Sequence, residues 1–196
     1  RTGFGSANYR NDLSESFSLM ANLKYTYNWN RYLTLSDIYI TGKDETFYTQ
    51  NEYYGSVAGE YRLSDRVKFT LAEDYFINTL DATLPDFAYP TRYTSLTSVA
   101  GQYKDSRLTL TASLLGTYIT EDVKVGEAAD DKKRLSPSVS VSYKLFEDAN
   151  FRIRGSYKDA YRAPNFNDLY YARVGNRKLS PEKASQFNLG ATWSGI

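Results

Sequence analysis

The chain has 196 residues, with 24 Lys and Arg against 23 Asp and Glu, so its net charge is +1. This balance excludes the strongly basic surface that nucleic-acid binding needs, and nucleic acid is not expected as a partner. His and Cys are both absent, which removes disulfides, thiolate nucleophiles, the commonest general base and the usual zinc ligands. We therefore predict no catalytic residue, metal site or cofactor, and the protein is not expected to be an enzyme.

The mean hydropathy is −0.56, and no run of about 18 apolar residues is present that could cross a bilayer as a helix. A transmembrane β-barrel remains open, because its strands alternate between polar and apolar residues and their average is polar. The tyrosine count is unusual, at 19. It becomes informative once the tyrosines are placed on strands.

Apolar and polar residues alternate with a period of two along most of the chain, which predicts β-strands rather than helices. About nine strands are expected: 15–27, 32–41, 52–62, 66–78, 92–104, 107–119, 135–145, 150–158 and 184–194. The pattern is clearest over 107–119 and 135–160. One face there should carry Leu108, Leu110, Leu114, Val139, Val141, Phe151 and Ile153.

Short and long connections follow one another in turn along the chain. Short ones with turn-forming residues are predicted at 28–31, 63–66, 104–107 and 146–150. Longer ones are predicted at 42–47, 80–91, 121–134 and 161–183. An antiparallel up-and-down meander has this form when one end of the sheet carries tight turns and the other carries functional loops.

Aromatic residues of the apolar face lie near the predicted strand ends. Tyr27, Tyr61, Tyr103 and Tyr143 precede short connections, and Phe17, Tyr53 and Tyr93 lie at opposite strand ends. Strands of this length and tilt separate the two sets by about 20–25 Å, close to the ~25 Å apolar band of outer-membrane barrels. The all-β fold is thus expected to be part of a transmembrane barrel. A soluble sandwich, with its polar face in water and sugars on its tyrosines, is the alternative.

A stretch near the end of the chain carries a more specific signal. "YRAPNFNDLYY" (161–171) interrupts the alternation, and "GNRKLSPEKASQ" (175–186) follows it. The pair resembles a signature of TonB-dependent outer-membrane receptors, with Asp168 in place of the usual Glu and Arg177 in place of the usual Pro. The motif residues are Arg162, Ala163, Pro164, Phe166, Asp168, Leu169, Gly175, Asn176, Leu179, Pro181 and Glu182.

The chemistry of these residues predicts a mainly structural role for the motif. Pro164 ends strand pairing. Asn165 is expected to cap the following turn, with Asp168 bonding to its backbone. Ser180, Pro181 and Glu182 are expected to begin a helical turn before the last strand. Arg162 should bind loop carbonyls or carboxylates rather than a substrate.

The resemblance implies a receptor in the outer membrane of a Gram-negative bacterium. Members of the family are barrels of about 22 strands with a plugged lumen, and they take up scarce nutrients with energy delivered through TonB. Residues 1–196 are then expected to form an internal part of the barrel domain, without the plug. The implied partners are outer-membrane lipid, TonB through the missing plug domain, and a small-molecule nutrient.

A ferric siderophore or cobalamin is the expected ligand. Haem is not expected, because the family's haem receptors carry an axial ligand, usually His, between the two boxes, and 165–174 offers tyrosines but no His. The residues expected to contact the ligand are Tyr89, Arg92, Tyr170 and Tyr171.

Two other membrane interpretations remain. A complete barrel of about eight strands would have a structural or adhesive role. An outer-membrane hydrolase would need acid–base chemistry, yet adjacent carboxylates such as Glu73 and Asp74 should point to opposite faces. If the chain is part of a larger barrel, strands 15–27 and 184–194 should be unpaired edges that associate with other chains. A ladder between those two strands would instead favour the small barrel.

Overall fold

A computed structural model describes residues 1–35, 43–146, 150–170 and 175–194. Its side chains are described throughout these ranges except at 33–35, 43, 44 and 150. No helix of this part of the chain is long and apolar enough to cross a membrane. The described strands are β1 Thr2–Asp12, β2 Phe17–Leu35, β3 Lys43–Arg62, β4 Val67–Ala82, β5 Thr91–Lys104, β6 Leu108–Asp122, β7 Lys132–Lys144, β8 Asn150–Arg162 and β9 Glu182–Ser194. The one described helix is α1, Phe166–Tyr170.

Every strand pairs with its neighbours in sequence, and all the pairs are antiparallel. The described strands form one sheet in the order β1 to β9, and among the described residues β1 and β9 do not pair with each other. The sheet is therefore open, and the predicted up-and-down meander is confirmed. The ladder that would have favoured a small closed barrel is absent from the described residues. Association of the sheet edges with other chains stays a prediction.

The first quarter of the chain differs from the prediction. Residues 28–31 do not turn but lie within β2, where Asn28 is opposite Gln50 and Arg31 is opposite Phe47. Residues 28–31 are stable in a strand here because two of their side chains find partners on β3. Trp29 stacks on Phe47, with ring centroids 5.5 Å apart, and Arg31 forms an ion pair with Glu45. The predicted strand 32–41 lies outside the described residues from position 36 onward.

The edge strand was also predicted wrongly. Strand 15–27 is not an edge, because β1 pairs with it from Thr2 opposite Asn28 to Asp12 opposite Ser18. β1 carries only a weak alternation, since Gly3, Gly5 and Ala7 occupy the face that is apolar on β2. The first short connection is at 13–16, where the Ser14 hydroxyl accepts the backbone N–H of Phe17 at 3.0 Å.

The outer face of the sheet carries two aromatic rows. Residues directly opposite each other on paired strands share a face, so the register defines the rows. The lower row, beside the short connections, runs through Phe17, Tyr61 and Phe69. The upper row runs through Tyr25, Tyr53, Ile77 and Tyr93. Tyr103 and Tyr143 carry the lower row onward beside the turns of β5 and β7.

The surface between the rows is mostly apolar, apart from Glu73 and the Ser95 and Thr97 hydroxyls that bind it, and it becomes polar above the upper row. Leu71 and Val99 are more than half exposed between the rows. Two positions above Tyr53 and Ile77, the outward residues are Asn51 and Thr79, which hydrogen-bond to each other at 3.2 Å. An apolar band bounded by aromatic rows is the outer surface of a membrane barrel. The face predicted for β6 to β8 is confirmed, because Leu110 is opposite Val141 and Tyr143 is opposite Ile153.

Single cysteines can test this band, because the 196 residues contain none. In the full-length protein in liposomes, we expect a bimane label at Leu71→Cys to be quenched several-fold by brominated lipid tails. Ala72→Cys on the inner face and Asp81→Cys above the upper row should be quenched weakly, since neither faces hydrocarbon. Equal quenching at Leu71 and Ala72 would contradict the assignment of the faces.

Candidate functional site

The buried apolar residues of the described chain gather at the end of the sheet that carries the long connections. This loop core joins β4, the connections at 83–90 and 123–131, and helix α1. Its members are Leu80, Ala82, Phe87, Ala88, Ala129, Phe166, Leu169 and Tyr170. Leu80 and Ala82 belong to the inner face of the sheet, so the loops pack on the side opposite the apolar band. The loop core therefore fixes the positions of the long connections at this end of the sheet, which we call the mouth.

Helix α1 is held by its own first turn. The Asn165 side chain accepts the N–H of Asp168 at 2.9 Å, and the Asp168 carboxylate accepts the N–H of Asn165 at 2.8 Å. Such a reciprocal cap satisfies two backbone donors that a helix start leaves free. The cap predicted from sequence is confirmed. It directs Phe166, Leu169 and Tyr170, which lie on one side of the helix, into the loop core.

A buried carboxylate connects this helix to the sheet. The Glu121 side chain is 1% exposed, and it forms an ion pair with Arg92 on the neighbouring strand. Its other oxygen accepts a hydrogen bond from the Tyr170 hydroxyl. Arg92 also donates to the carbonyl of Pro164 at 2.7 Å and stacks over the Phe166 ring at 5.0 Å. The Glu121 carboxylate therefore connects β5 and β6 to helix α1.

Tyr170 is the centre of a second connection. Its hydroxyl accepts the backbone N–H of Ala129 at 3.1 Å, which ties the connection 123–131 to α1. Burial and the Glu121 carboxylate raise the pKa of Tyr170 to about 12. The hydroxyl thus keeps its proton, and donates it to Glu121, throughout the physiological pH range.

The second box of the motif packs against the same tyrosine. The Arg177 guanidinium lies over the Tyr170 ring at 5.6 Å. It also fills the space beside Gly126, whose φ of +84° suits glycine, and a Cβ there would come within 2.6 Å of Nη1. The residue that departs from the family pattern thus makes a contact with a neighbouring connection.

Other motif residues shape the return to the sheet. The N–H of Asn176 donates to the carbonyl of Asp168 at 2.9 Å. Arg162 pairs with the Glu182 carboxylate at 3.3 Å, as predicted, and both side chains are exposed. The helical turn predicted at 180–182 is wrong, because Glu182 is already the first residue of β9 and pairs with Arg162 across the ladder.

A row of polar residues crosses the inner face just below the loop core. Glu52 is opposite Asn78, Asn78 is opposite Arg92, and Arg92 is opposite Glu121. Asn78 donates to Glu52 at 3.0 Å. The row borders a cavity of about 270 Å³, lined by Gln50, Glu52, Asn78, Leu80, Arg92, Asn165, Phe166 and Asn167. We call this the mouth pocket.

The residues predicted to contact a ligand are distributed as follows. Arg92 lines the mouth pocket. Tyr89 is half-buried against the loop core, with φ of +50° and Lys124 over its ring. Tyr170 is buried, and its hydroxyl is bound to Glu121 and Ala129. Tyr171 lies outside the described residues. Direct ligand contact by these four stays a prediction.

Sequence reasoning missed Glu121, Glu52 and Asn78. Glu121 was assigned to a long connection, whereas β6 continues to Asp122. Glu52 and Asn78 lay on predicted strands, but only the register brings them beside Arg92. Glu52 and Asn78 stand at the ends of the predicted strands 52–62 and 66–78, and a polar residue at a strand end does not identify a partner.

Comparison with known proteins gives a match along nearly the whole chain. The family model described as "TonB dependent receptor-like, beta-barrel" matches residues 1–195. Among 41 matching chains of solved structures is the "Copper transporter OprC", with a TM-score of 0.80 and 15% identity over 98% of this chain. The match takes in 36% of that chain, so the present chain spans about a third of its length. At this identity the likeness shows the fold alone.

The Tyr170 hydroxyl offers a direct test of the loop core. In the full-length protein, Tyr170→Phe leaves Oε2 of Glu121 and the Ala129 N–H each without their present partner, at about 1–3 kcal/mol apiece. We expect trypsin to cleave the connection 123–131, at exposed Lys124, several-fold faster. The matched control, Tyr143→Phe, removes a hydroxyl at the opposite end of the sheet and should leave the rate unchanged. Equal rates in both variants would show that Tyr170 does not hold this connection.

Proposed function

We propose that this chain, which belongs to the TonB-dependent receptor-like β-barrel family of Gram-negative outer membranes, forms part of the wall and mouth of a receptor that takes up a scarce nutrient. TonB would supply the energy through a plug domain that these 196 residues do not include. The chain contributes the lipid-facing wall, the loop core and the mouth pocket.

The observation that carries this proposal is the joining of three long connections at one end of the sheet. Tyr170 binds the connection 123–131 to α1, and the N–H of Lys124 donates to the carbonyl of Ala88 at 2.9 Å, which joins the connection 83–90 to the same group. A wall of this kind holds its loops in place around an opening, and rigid positioning of polar groups favours recognition of a small molecule. The opposite end has only short connections among the described residues, such as 63–66 and 105–107.

A ferric siderophore or cobalamin remains the ligand class that we propose. Haem is disfavoured because the chain has no His, and the Tyr170 hydroxyl is already bound to Glu121 and Ala129. An axial ligand needs a side chain that is free to approach the iron. Tyr170 is 6% exposed, so a haem could reach it only if the loop core opened.

We also propose that the chain has no enzymatic role. The adjacent carboxylates Glu73 and Asp74 lie on opposite faces of β4. Glu73 accepts hydrogen bonds from Ser95 and Thr97 on the outer face, whereas Asp74 accepts one from Tyr54 on the inner face. Two acids separated by the sheet cannot act on one bond. This placement supports a binding and transport role.

Uptake measurements test the proposal in cells that make the full-length protein. We expect accumulation of an iron-55-labelled ferric siderophore or cobalt-57-labelled cyanocobalamin to require both this protein and TonB. It should fall to background in a strain without TonB, although binding to the cell surface should remain. Haem should give no Soret shift with the purified protein. Uptake at an equal rate without TonB would contradict the proposal.

A further inference from the structure

The mouth pocket contains an arginine with unused donors. The Nε–H of Arg92 donates to the Glu121 carboxylate at 2.7 Å, and its Nη2 donates both to Glu121 and to the Pro164 carbonyl. Within the described ranges, Nη1 has no acceptor in hydrogen-bonding distance. The side chain is 12% exposed and lines the pocket. Two N–H groups of Nη1 are therefore held in a fixed direction by the bonds of the other two nitrogens.

The charge of that arginine is already balanced. The buried Glu121 carboxylate accepts hydrogen bonds from both Nε and Nη2 of Arg92, which is the geometry of a tight charge-assisted pair. A ligand therefore meets the Nη1 donors of a neutralised ion pair rather than an isolated cation. A hydrogen-bond acceptor without a full negative charge suits such a group.

The other side of the pocket is a carboxylate. Glu52 lines the pocket, accepts a hydrogen bond from Asn78 at 3.0 Å and forms an ion pair with Lys24 at 3.7 Å. No lysine lines the pocket, and Arg92 is its one cationic lining residue among those described. Both charged lining residues are therefore already paired, and an anionic ligand would find no unpaired cation in the pocket.

The remaining polar lining consists of amides with both donors and acceptors to spare. Asn78 uses its amide N–H₂ on Glu52 and keeps its carbonyl oxygen. Asn165 uses its carbonyl oxygen to cap α1 and keeps its N–H₂. Gln50 and Asn167 have no hydrogen-bonding partner among the described residues, so both of their groups are available. The lining thus offers donors and acceptors side by side.

From this arrangement we propose that the mouth pocket is a subsite for an uncharged ligand group that carries both a donor and an acceptor. A carboxamide or a hydroxyl has this chemistry, and each would pair with Arg92 Nη1 on one side and an amide or Glu52 on the other. The metal-bound catecholate oxygens of a multiply charged ferric chelate are acceptors without a donor and lack this chemistry. The proposal rests on the receptor function above and narrows the chemistry of its ligand.

Binding to the purified full-length protein, measured by titration calorimetry in detergent, tests the subsite. The three probes are cyanocobalamin for carboxamides, maltoheptaose for hydroxyls and a trianionic ferric tris-catecholate for anions. We expect one of the two neutral probes to bind. Asn78→Asp, which removes a donor and adds a charge beside Glu52, should weaken that binding by about tenfold.

Two further variants protect the test against misfolding. Asn167→Ala changes an exposed side chain of α1 and should weaken binding several-fold with the fold intact. Asn188→Asp makes the same change as Asn78→Asp on the inner face of β9, away from the pocket, and should leave binding unchanged. The proposal is overturned if neither neutral probe binds, if only the anion binds, or if Asn78→Asp and Asn167→Ala bind like the wild type.

The outcome also separates this subsite from the receptor function. A ferric tris-catecholate that binds and enters cells with TonB would uphold the receptor function and reject the neutral subsite. A neutral probe that binds with the expected losses but enters cells equally without TonB would uphold the subsite and reject energised uptake.

Discussion

A peptide group that enters hydrocarbon needs a hydrogen-bonding partner inside the protein, because lipid tails offer none. The antiparallel ladder from β1 to β9 supplies those partners, and the rest of the structure depends on it. The ladder makes side chains alternate between two environments, so the outer face is mostly apolar between its aromatic rows and the inner face is mostly polar. It also fixes the register, which brings Glu52, Asn78, Arg92 and Glu121 into one row. The mouth pocket is a product of the ladder as much as of the loops.

The paired motif connects the long connections to the strands at the end of this ladder. The Pro164 carbonyl accepts a hydrogen bond from Arg92, and the same guanidinium lies over the Phe166 ring. The departures from the family pattern fit this role. Asp168 reaches back to the N–H of Asn165, and Arg177 stacks on Tyr170 and meets Gly126. Contacts between residues far apart in sequence thus hold the mouth in one conformation.

Sequence patterns were sufficient where alternation is strong and turn residues are decisive. β6 and β7 follow from leucines and valines that alternate with threonines and serines, and β8 follows from Phe151 and Ile153 alternating with arginines. The cap of α1 follows from Asn165 and Asp168. β1 was missed because glycine and alanine give almost no apolar signal. The supposed turn at 28–31 was misjudged because asparagine and arginine are common in turns, yet cross-strand partners stabilise them here. Arg92 could be suggested from its position in a loop-rich stretch. Its partners could not, since cross-strand register is set by pairings that local composition does not contain.

The position of Glu73 has a consequence for how such a wall is assembled. This carboxylate lies on the outer face of the sheet, between the aromatic rows, and the hydroxyls of Ser95 and Thr97 on β5 cover it. β4 alone would present a bare acid to lipid, and a charge or an unpaired acid in hydrocarbon costs several kcal/mol. The least costly order of insertion is therefore one in which β4 and β5 pair as a hairpin before they leave the aqueous phase. A single side chain thereby favours one sequence of events in biogenesis.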